Sequence, residues 1–517
     1  MTAFEWIIGL LLGAVALTAL ARRLDIPYPT FLAIGGTLLA FTPGAPQWTL
    51  EPELALALFV APVLLDAAYD TSLRELRENW LPVSTLVLFA VAITTAAVAA
   101  VAHWLVPGMP WSAAIALGAI VAPPDAAAAV AIVRQLSVPF RLQKILEGES
   151  LLNDASALLI YRVAVGAATT HSLHFADYGP RIFVALIGSL SVGYLFARAW
   201  PVLTRRITDA PSAIIVQFAT TFVVWIVAER LALSGILTIV AYAITLARST
   251  PARTPARLRV PSYAVWETTV FMLNVLAFVL IGMQLSPIWH RLADGERWHS
   301  CMVSLAVLAT VILARIGWVM TYNAALRLKT RWFGFQPQQR IGPPTVKNAV
   351  VVAWCGMRGI VTLAAAFALP DGFPYRDLVL LTAFTVVLGT LLVQGLTLKA
   401  LITALKFPSD DLVGREVAQA RAVAFREAMA TFDSDPSPEA ELLRAEYRTL
   451  LLRVDADPDG QASGELPADP LRRRALEAAR RAILRLRADD VIGDDAFHRL
   501  EEELDWAELG ARAARAQ

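Results

Sequence analysis

The chain has 517 residues, of which 57% are hydrophobic and 17% are charged, and its mean hydropathy is +0.56. Soluble domains carry roughly a quarter charged residues, and this composition also excludes disordered, collagen-like and disulfide-rich secreted chains. The net charge of +1 is uneven, because residues 408–517 carry −8 and residues 1–407 carry +9. These properties predict an all-α, polytopic membrane protein with an acidic, polar tail.

Apolar stretches of about the length that crosses a bilayer follow one another through the first 407 residues. The first is not expected to be a cleaved signal peptide, because its basic residues follow it rather than precede it. Thirteen spans are predicted, near residues 4–21, 24–43, 53–69, 80–103, 111–133, 143–169, 181–200, 212–230, 232–247, 263–285, 300–325, 347–369 and 377–405.

The Lys and Arg residues in the connecting loops give an independent test of this count. Loops after the odd-numbered spans contain 19 of them, and the remaining loops contain 5. Basic loops stay on the cytoplasmic side of a membrane, and a miscounted span would destroy the alternation. The pattern therefore supports thirteen spans in the cell's inner membrane, with the N-terminus outside and the tail in the cytoplasm.

The tail, residues 408–517, differs in character from the apolar body. It reads as several amphipathic helices, separated by a turn-rich stretch at 455–470. It contains no phosphate-binding loop, metal cluster or nucleotide fingerprint. We expect a helical domain that regulates residues 1–407 or stabilises a dimer.

Ionisable side chains well inside a span are costly in hydrocarbon and are functional candidates by default. The sequence leaves open the roles of four of them, Asp66, Arg162, Glu267 and Arg315. The full set is Asp66, Asp125, Glu149, Asp154, Arg162, Glu267, Arg315 and Arg358.

Span 5 contains Pro123 and Pro124 at its centre, directly before Asp125. Two prolines remove two backbone donors and interrupt the helix, so the freed carbonyls must face protein or a polar cavity. Asp125 would begin a second half-helix, whose positive dipole end favours a carboxylate. An alternative is a proline kink that Asp125 merely caps, with no ion involved.

Span 6 carries two neighbouring polar stripes. Ser150 and Asp154 share one stripe at i, i+4, and Glu149 and Asn153 share the next. Hard cations take oxygen ligands, so this pattern favours a site for a dehydrated cation. The alternative is a polar patch that only joins helices, although Ser and Asn alone would suffice for that purpose.

Span 12 places Arg358 between Gly356 and Gly359, which permits a helix break in mid-membrane. A buried guanidinium needs a partner, and Glu149 is predicted as that partner in a structural ion pair. Spans 1–6 and 8–13 would form two inverted six-helix repeats with broken helices 5 and 12. Corresponding interruptions of this kind indicate a midplane site in secondary transporters.

Four motifs in this order resemble the cation:proton antiporter-1 family, the bacterial sodium/proton exchangers of the NhaP type. The resemblance covers residues 5–405. The motifs are Ala-Pro-Pro-Asp ending at Asp125, Gly-Glu-Ser-Leu-Leu-Asn-Asp ending at Asp154, Trp-Cys-Gly-Met-Arg-Gly ending at Gly359, and Leu-Val-Gln-Gly-Leu-Thr ending at Thr397.

The resemblance implies a homodimer with a dimerisation domain and a moving core domain, and electroneutral one-for-one exchange. It implies no cofactor, only transported Na⁺ and H⁺, and no nucleic-acid partner. Two positions depart from the family pattern, because Pro124 replaces a common Thr and Asp66 replaces a common Glu. The residues expected around the cation are Asp154, Asn153, Ser150, Glu149, Asp125 and the backbone of Pro124.

The residues themselves leave other functions open. A proton-coupled transporter of another small solute would usually need a larger polar or aromatic surface, and a cation channel would show repeated ligand rings. An enzyme is disfavoured because all six His residues lie at span ends, in loops or in the tail. The expected function is therefore antiport of Na⁺, Li⁺ or K⁺ against H⁺, with residues 1–407 as the exchange domain.

Overall fold

The structure is a computed structural model, and the ranges that it describes are mainly helical and contain no strand. The chain divides into two compact units, residues 1–408 and residues 409–517. The described residues are 2–24, 27–42, 51–125, 129–130, 133, 136, 138–170, 175–249, 254–292, 295–333, 345–407, 412–456, 469–489, 491 and 494–512.

The first half of the larger unit contains nine described helices, two of them entered through a π-helical stretch. These stretches are π1 (Leu56–Val60), which leads into α4, and π2 (Thr85–Ala90), which leads into α7. The helices are α1 (Thr2–Leu24), α2 (Tyr28–Leu39), α3 (Pro52–Ala55), α4 (Ala61–Tyr69), α5 (Leu73–Glu78), α6 (Trp80–Ser84), α7 (Val91–Leu105), α8 (Trp111–Val121) and α9 (Phe140–Thr170).

The second half of this unit contains ten described helices and a third π-helical stretch, π3 (Leu391–Gly395), which joins the last two. The helices are α10 (Phe175–Thr204), α11 (Ala210–Arg230), α12 (Gly235–Ser249), α13 (Ala256–Met283), α14 (Leu285–Arg291), α15 (Arg297–Phe333), α16 (Val346–Trp354), α17 (Ile360–Phe367), α18 (Arg376–Thr390) and α19 (Leu396–Leu405).

Local chemistry explains several of the helix ends. Asp209 caps α11 by accepting a hydrogen bond from the backbone N–H of Ser212 at 2.9 Å. Thr345 caps α16 in the same way through Asn348. Each cap satisfies a backbone donor that the first turn of a helix leaves free.

Each predicted span coincides with one or more of these helices. Within the described ranges, seven helical segments are long and apolar enough to cross a membrane, and three shorter helices, α2, α8 and α12, are also apolar. The all-helical, polytopic fold class is therefore confirmed. The count of thirteen crossings and the inverted relation of the two repeats remain predictions.

The helices of the larger unit pack in two groups. The break group contains α6–α9 and α15–α19, and the flanking group contains α1–α4 and α10–α13. Within the flanking group, α2 and α13 approach so closely that a Cβ added at Gly36 or Gly282 would collide with backbone of the other helix. The break group includes both interrupted spans.

The smaller unit contains four described helices, α20 (Leu412–Ala430), α21 (Pro438–Ala456), α22 (Asp469–Ala488) and α23 (Asp494–Arg512). The first two pack together, and so do the last two. Arg480 on α22 pairs with Asp505 and Glu508 on α23, and Arg487 lies over the ring of Phe497. The prediction of a helical tail is confirmed for the described residues of this unit.

Candidate functional site

Two interruptions of the helical backbone meet inside the break group. Helix α8 ends at Val121, and the chain runs without helical structure through Pro123, Pro124 and Asp125. The start of the expected second half-helix, residues 126–128, lies outside the described residues. The predicted break at the two prolines is therefore present, because neither proline can donate to the preceding turn.

The second interruption separates α16 from α17, and residues 355–359 between them are not helical. The two breaks touch, because the backbone N–H of Asp125 donates to the carbonyl of Met357 at 2.6 Å. At Gly359, a Cβ would collide with the carboxyl group of Asp125. Glycine at position 359 thus permits the close approach of the two interrupted segments.

Arg358 is fully buried at this crossing, and its guanidinium donates hydrogen bonds to backbone carbonyls. Its Nε donates to the carbonyl of Val121 at 2.9 Å, and its Nη2 donates to that of Ala122 at 3.1 Å. Its Nη1 donates to the carbonyl of Gly356, and its backbone N–H donates to the hydroxyl of Thr390. The guanidinium therefore caps the negative end of α8, whose last carbonyls have no partner in their own helix.

Helix α9 brings its polar residues to the same crossing. The side-chain Nδ2 of Asn153, which is completely buried, donates to the carbonyl of Pro124 at 2.6 Å. Its Oδ1 is buried and has no hydrogen-bond partner among the described residues. Asp154 is 9% exposed, and its charge interacts with that of Asp125. Ser150 is half-buried one turn earlier on α9.

Glu149 is paired with Arg315 rather than with Arg358, so the predicted ion pair was wrong in its arginine. Arg315 donates to both carboxylate oxygens of Glu149, at 2.5 and 2.9 Å, and also to the carbonyl of Val352. The two charged side chains are each only 2% exposed. The physical reason is that the helix break frees backbone carbonyls, and Arg358 donates to these. The carboxylate of Glu149 therefore pairs with the other buried guanidinium, that of Arg315.

Three other intramembrane charges, Arg162, Glu267 and Asp66, have different surroundings. Arg162 forms an ion pair with Glu229, and Glu267 is exposed on α13. Asp66 is half-buried and lines a cavity of about 490 Å³ between α4, α10, α11 and α13.

Two functional side chains at the crossing could not be assigned from sequence alone. Arg315 stood out as an intramembrane charge, but nothing local pointed to a partner 166 positions away. Thr390, which accepts from the backbone of Arg358, has the same pattern as the many Thr residues that bond only to their own helix. Only the tertiary contacts distinguish them.

These features define a polytopic membrane protein in which discontinuous helices surround a small oxygen-rich site, the architecture of a secondary transporter. The family profile described as "Sodium/hydrogen exchanger, transmembrane" matches residues 8–404. The chain therefore belongs to the sodium/hydrogen exchanger family, and the resemblance seen in the motifs is confirmed.

Relatives and a solved structure agree with this assignment. An uncharacterised Na⁺/H⁺ exchanger of Mycobacterium tuberculosis is 31% identical, over 97% of this chain and 95% of that protein. A sodium, potassium, lithium and rubidium/H⁺ antiporter of Bacillus pumilus is 28% identical, over 94% of this chain and 74% of that protein. The sodium proton antiporter MjNhaP1 of Methanocaldococcus jannaschii has the same fold, with a TM-score of 0.60 at 16% identity, over 78% of this chain and 99% of that one.

Proposed function

We propose that the protein is a secondary antiporter that exchanges a monovalent cation for protons across the membrane. Na⁺ is the first choice of cation, and Li⁺ or K⁺ are alternatives. The observation that carries the proposal is Asp154, a carboxylate that is 9% exposed and has no side-chain hydrogen bond or ion pair among the described residues. It lies on α9 beside the two crossing helix breaks. The names of the relatives, which include sodium and proton transport, support it.

The oxygen atoms near Asp154 suit a small, hard cation. Asn153 offers a buried Oδ1 with no hydrogen-bond partner, and Pro124 offers a carbonyl of which Asn153 uses one lone pair. Asp125 adds a carboxylate at the crossing of the two breaks, and Ser150 adds a hydroxyl one helical turn before Asp154. We therefore propose Asp154, Asn153, Ser150, Asp125 and the Pro124 carbonyl as the cation ligands.

Glu149 is left out of this ligand set. Both of its carboxylate oxygens accept hydrogen bonds from Arg315, and the pair is buried. A cation bound there would have to compete with a bidentate guanidinium, which is one of the stronger arrangements for a carboxylate. We assign the pair to holding α9 against α15.

Exchange follows from competition for one carboxylate. A carboxylate out of water is disfavoured as a bare anion, so it binds either a proton or a cation to compensate its charge. If the break group moves between its two end states only when the charge of Asp154 is neutralised, each movement carries either a proton or a cation. Alternating access of this kind needs no further energy source than the two ion gradients.

The remaining features of the proposal concern the whole chain. We propose a homodimer in the cell's inner membrane, with the N-terminus outside and the tail in the cytoplasm. Two cavities support the alternation of the loops between the two membrane faces. One gathers Glu51, Glu53, Glu229 and Pro370 from loops and span ends predicted on one face, and the other gathers Arg205 and Arg257 from loops predicted on the opposite face.

We further propose that residues 1–407 perform the exchange and that the tail, residues 408–517, regulates it. The separate packing of the helices on either side of residue 408 supports this division. Both of the interrupted spans lie in the first part.

The proposal is tested with purified protein in liposomes that contain a pH dye. A sodium jump outside should drive protons out of the vesicles, and separate jumps with lithium and potassium give the selectivity. Proton movement that follows no monovalent cation would refute antiport and favour a transporter of another solute. Cation flux without any proton movement would identify a channel.

A further inference from the structure

Arg162 links the two helix groups at a distance from the cation site. It lies on α9, two turns beyond Asp154, or roughly 12 Å along the helix axis. Its Nη2 pairs with Oε2 of Glu229 at 3.1 Å, and its Nη1 donates to the carbonyl of Leu233 at 3.4 Å. Helix α9 belongs to the break group, whereas Glu229 ends α11 in the flanking group.

Glu229 is itself held in place by the flanking group. Its Oε1 accepts a hydrogen bond from the backbone N–H of Gly235, the first residue of α12, at 3.3 Å. The N-terminus of a helix stabilises a carboxylate through its free N–H groups and its dipole. The acceptors of Arg162 are thus fixed to the turn between α11 and α12, and only the guanidinium comes from α9.

The pair also lines a cavity that leads towards the site. This cavity has a volume of about 750 Å³ and lies between the two groups. Its wall includes Arg162 and Glu229, and also Ala155, which directly follows Asp154. An ion pair at this position connects the facing walls of a passage that comes within one residue of the cation ligand.

We propose that Arg162 and Glu229 form a latch that holds the break group against the flanking group in one of the two end states of exchange, and that the latch opens in each cycle. The inference rests on the proposed antiport, because it assumes that the break group moves relative to the flanking group. The Arg162–Glu229 ion pair is a specific contact that must break during this movement. Both side chains are half-exposed, at 47% and 42%, so water can replace the bond. Such pairs add little to stability, which suits a contact that is made and broken repeatedly.

The test uses the full-length protein with Arg162→Cys and Glu229→Cys, treated in detergent solution before reconstitution with a bifunctional thiol reagent whose disulfide links can be reduced. Cross-linking should reduce sodium-driven proton flux in liposomes to the level of protein-free vesicles, and reduction should restore it. Cross-linked protein that exchanges as fast as the reduced protein would overturn the latch.

Matched controls separate the latch from general damage. Each single variant, and the wild type with its native Cys301 and Cys355, should keep its flux after the same treatment. A pair within one helix, Arg74→Cys with Glu78→Cys on α5, should also keep it, because that link spans no moving contact.

A second measurement does not depend on transport. The cross-linking yield of the 162–229 pair should change with sodium and with pH, because the ligands shift the balance between the end states. A yield that stays constant under all conditions would show a fixed strut and overturn the latch. A wild type that shows no sodium-driven flux, with a yield that still responds to sodium, would refute the antiport proposal alone.

Discussion

The side chain of Asn153 contributes both a donor and an acceptor to the crossing. Its amide nitrogen satisfies the Pro124 carbonyl at 2.6 Å, and its Oδ1 faces the buried interior without a partner among the described residues. Asn is suited to this position because it supplies an oxygen without adding a second negative charge beside Asp154. The hydrogen bond and the ligand role can be separated by mutation.

We expect Asn153→Asp to lower stability and to abolish exchange. A carboxylate facing the Pro124 carbonyl replaces a donor with an acceptor, and an unsatisfied buried polar group costs about 1–3 kcal/mol. Thermal unfolding in detergent measures the loss, with Asn323→Asp, at a partly exposed amide, as the control. An unchanged melting temperature would contradict the role of the amide as donor to Pro124.

The buried pair of Glu149 and Arg315 gives a second prediction. Glu149→Gln leaves a guanidinium without its anionic partner and should cost about 3–5 kcal/mol, because breaking one side of a buried pair leaves an uncompensated charge. The double variant Glu149→Met with Arg315→Met should be clearly more stable than the summed losses of Glu149→Met alone and Arg315→Met alone predict. Losses that simply add in the melting temperatures would show that the two residues are not coupled.

At the same scale, the sequence predicted the oxygen-bearing residues but not the choice of arginine. Asp154, Asn153 and Ser150 follow from helical spacing alone, and Asp125 and Pro124 follow from the proline break. The partner of Glu149 does not, because Arg315 and Arg358 are both buried guanidiniums in mid-span. The carbonyls that attract Arg358 exist only once the breaks have formed and met.

Among the structural elements, the crossing of the two breaks depends on close backbone approach. The extended segment at Gly359 passes against the carboxyl group of Asp125, with no room for a side-chain carbon. The breaks position Asp125 beside Asp154. A small displacement of either interrupted segment would therefore move Asp125, a proposed cation ligand.

Gly359→Ala is therefore expected to abolish exchange and to lower the melting temperature. The added Cβ must displace the Asp125 carboxyl group, whereas the same change at Gly13, which has nothing within 4 Å of the added carbon, should leave both properties unaltered. Sodium-driven proton flux and thermal unfolding measure the two effects. A Gly359→Ala variant that matches Gly13→Ala in flux would show that the approach is not needed.

The elements themselves were largely predictable, because apolar runs and proline breaks are local signals. Each predicted span coincides with helical structure, and the breaks in spans 5 and 12 fall at Pro123–Pro124 and at residues 355–359. The three π-helical stretches were not predicted. Each inserts an extra residue into a helical turn while the surrounding span stays apolar, so the hydropathy of the span does not change.

For the whole molecule, the pairing of Glu149 bears on the charge carried in each cycle. With Glu149 neutralised by Arg315, Asp154 is the carboxylate that alternates between proton and cation in our proposal. One cation then moves against one proton, and no net charge crosses the membrane. Among the described residues, Asp125 is the carboxylate whose charge interacts with that of Asp154, and it could carry a second proton.

We accordingly expect the membrane potential to have no effect on exchange. A potential of 100 mV contributes about 2.3 kcal/mol for each net charge moved, so an electrogenic cycle would respond strongly. The measurement imposes a potassium-diffusion potential of either sign with valinomycin and follows the sodium-driven pH change in liposomes. Exchange that accelerates with one sign and slows with the other would contradict one-for-one transport and assign a second proton to Asp125.

The central claim is that Asp154 is the shared binding site for cation and proton. It is tested most directly by sodium-driven proton flux in liposomes that contain Asp154→Asn, compared with Glu267→Gln, which removes an exposed intramembrane carboxylate on α13. Asp154→Asn should show no flux above protein-free vesicles while it elutes and melts as folded protein, and Glu267→Gln should match the wild type. Exchange at the wild-type rate by folded Asp154→Asn would contradict the account.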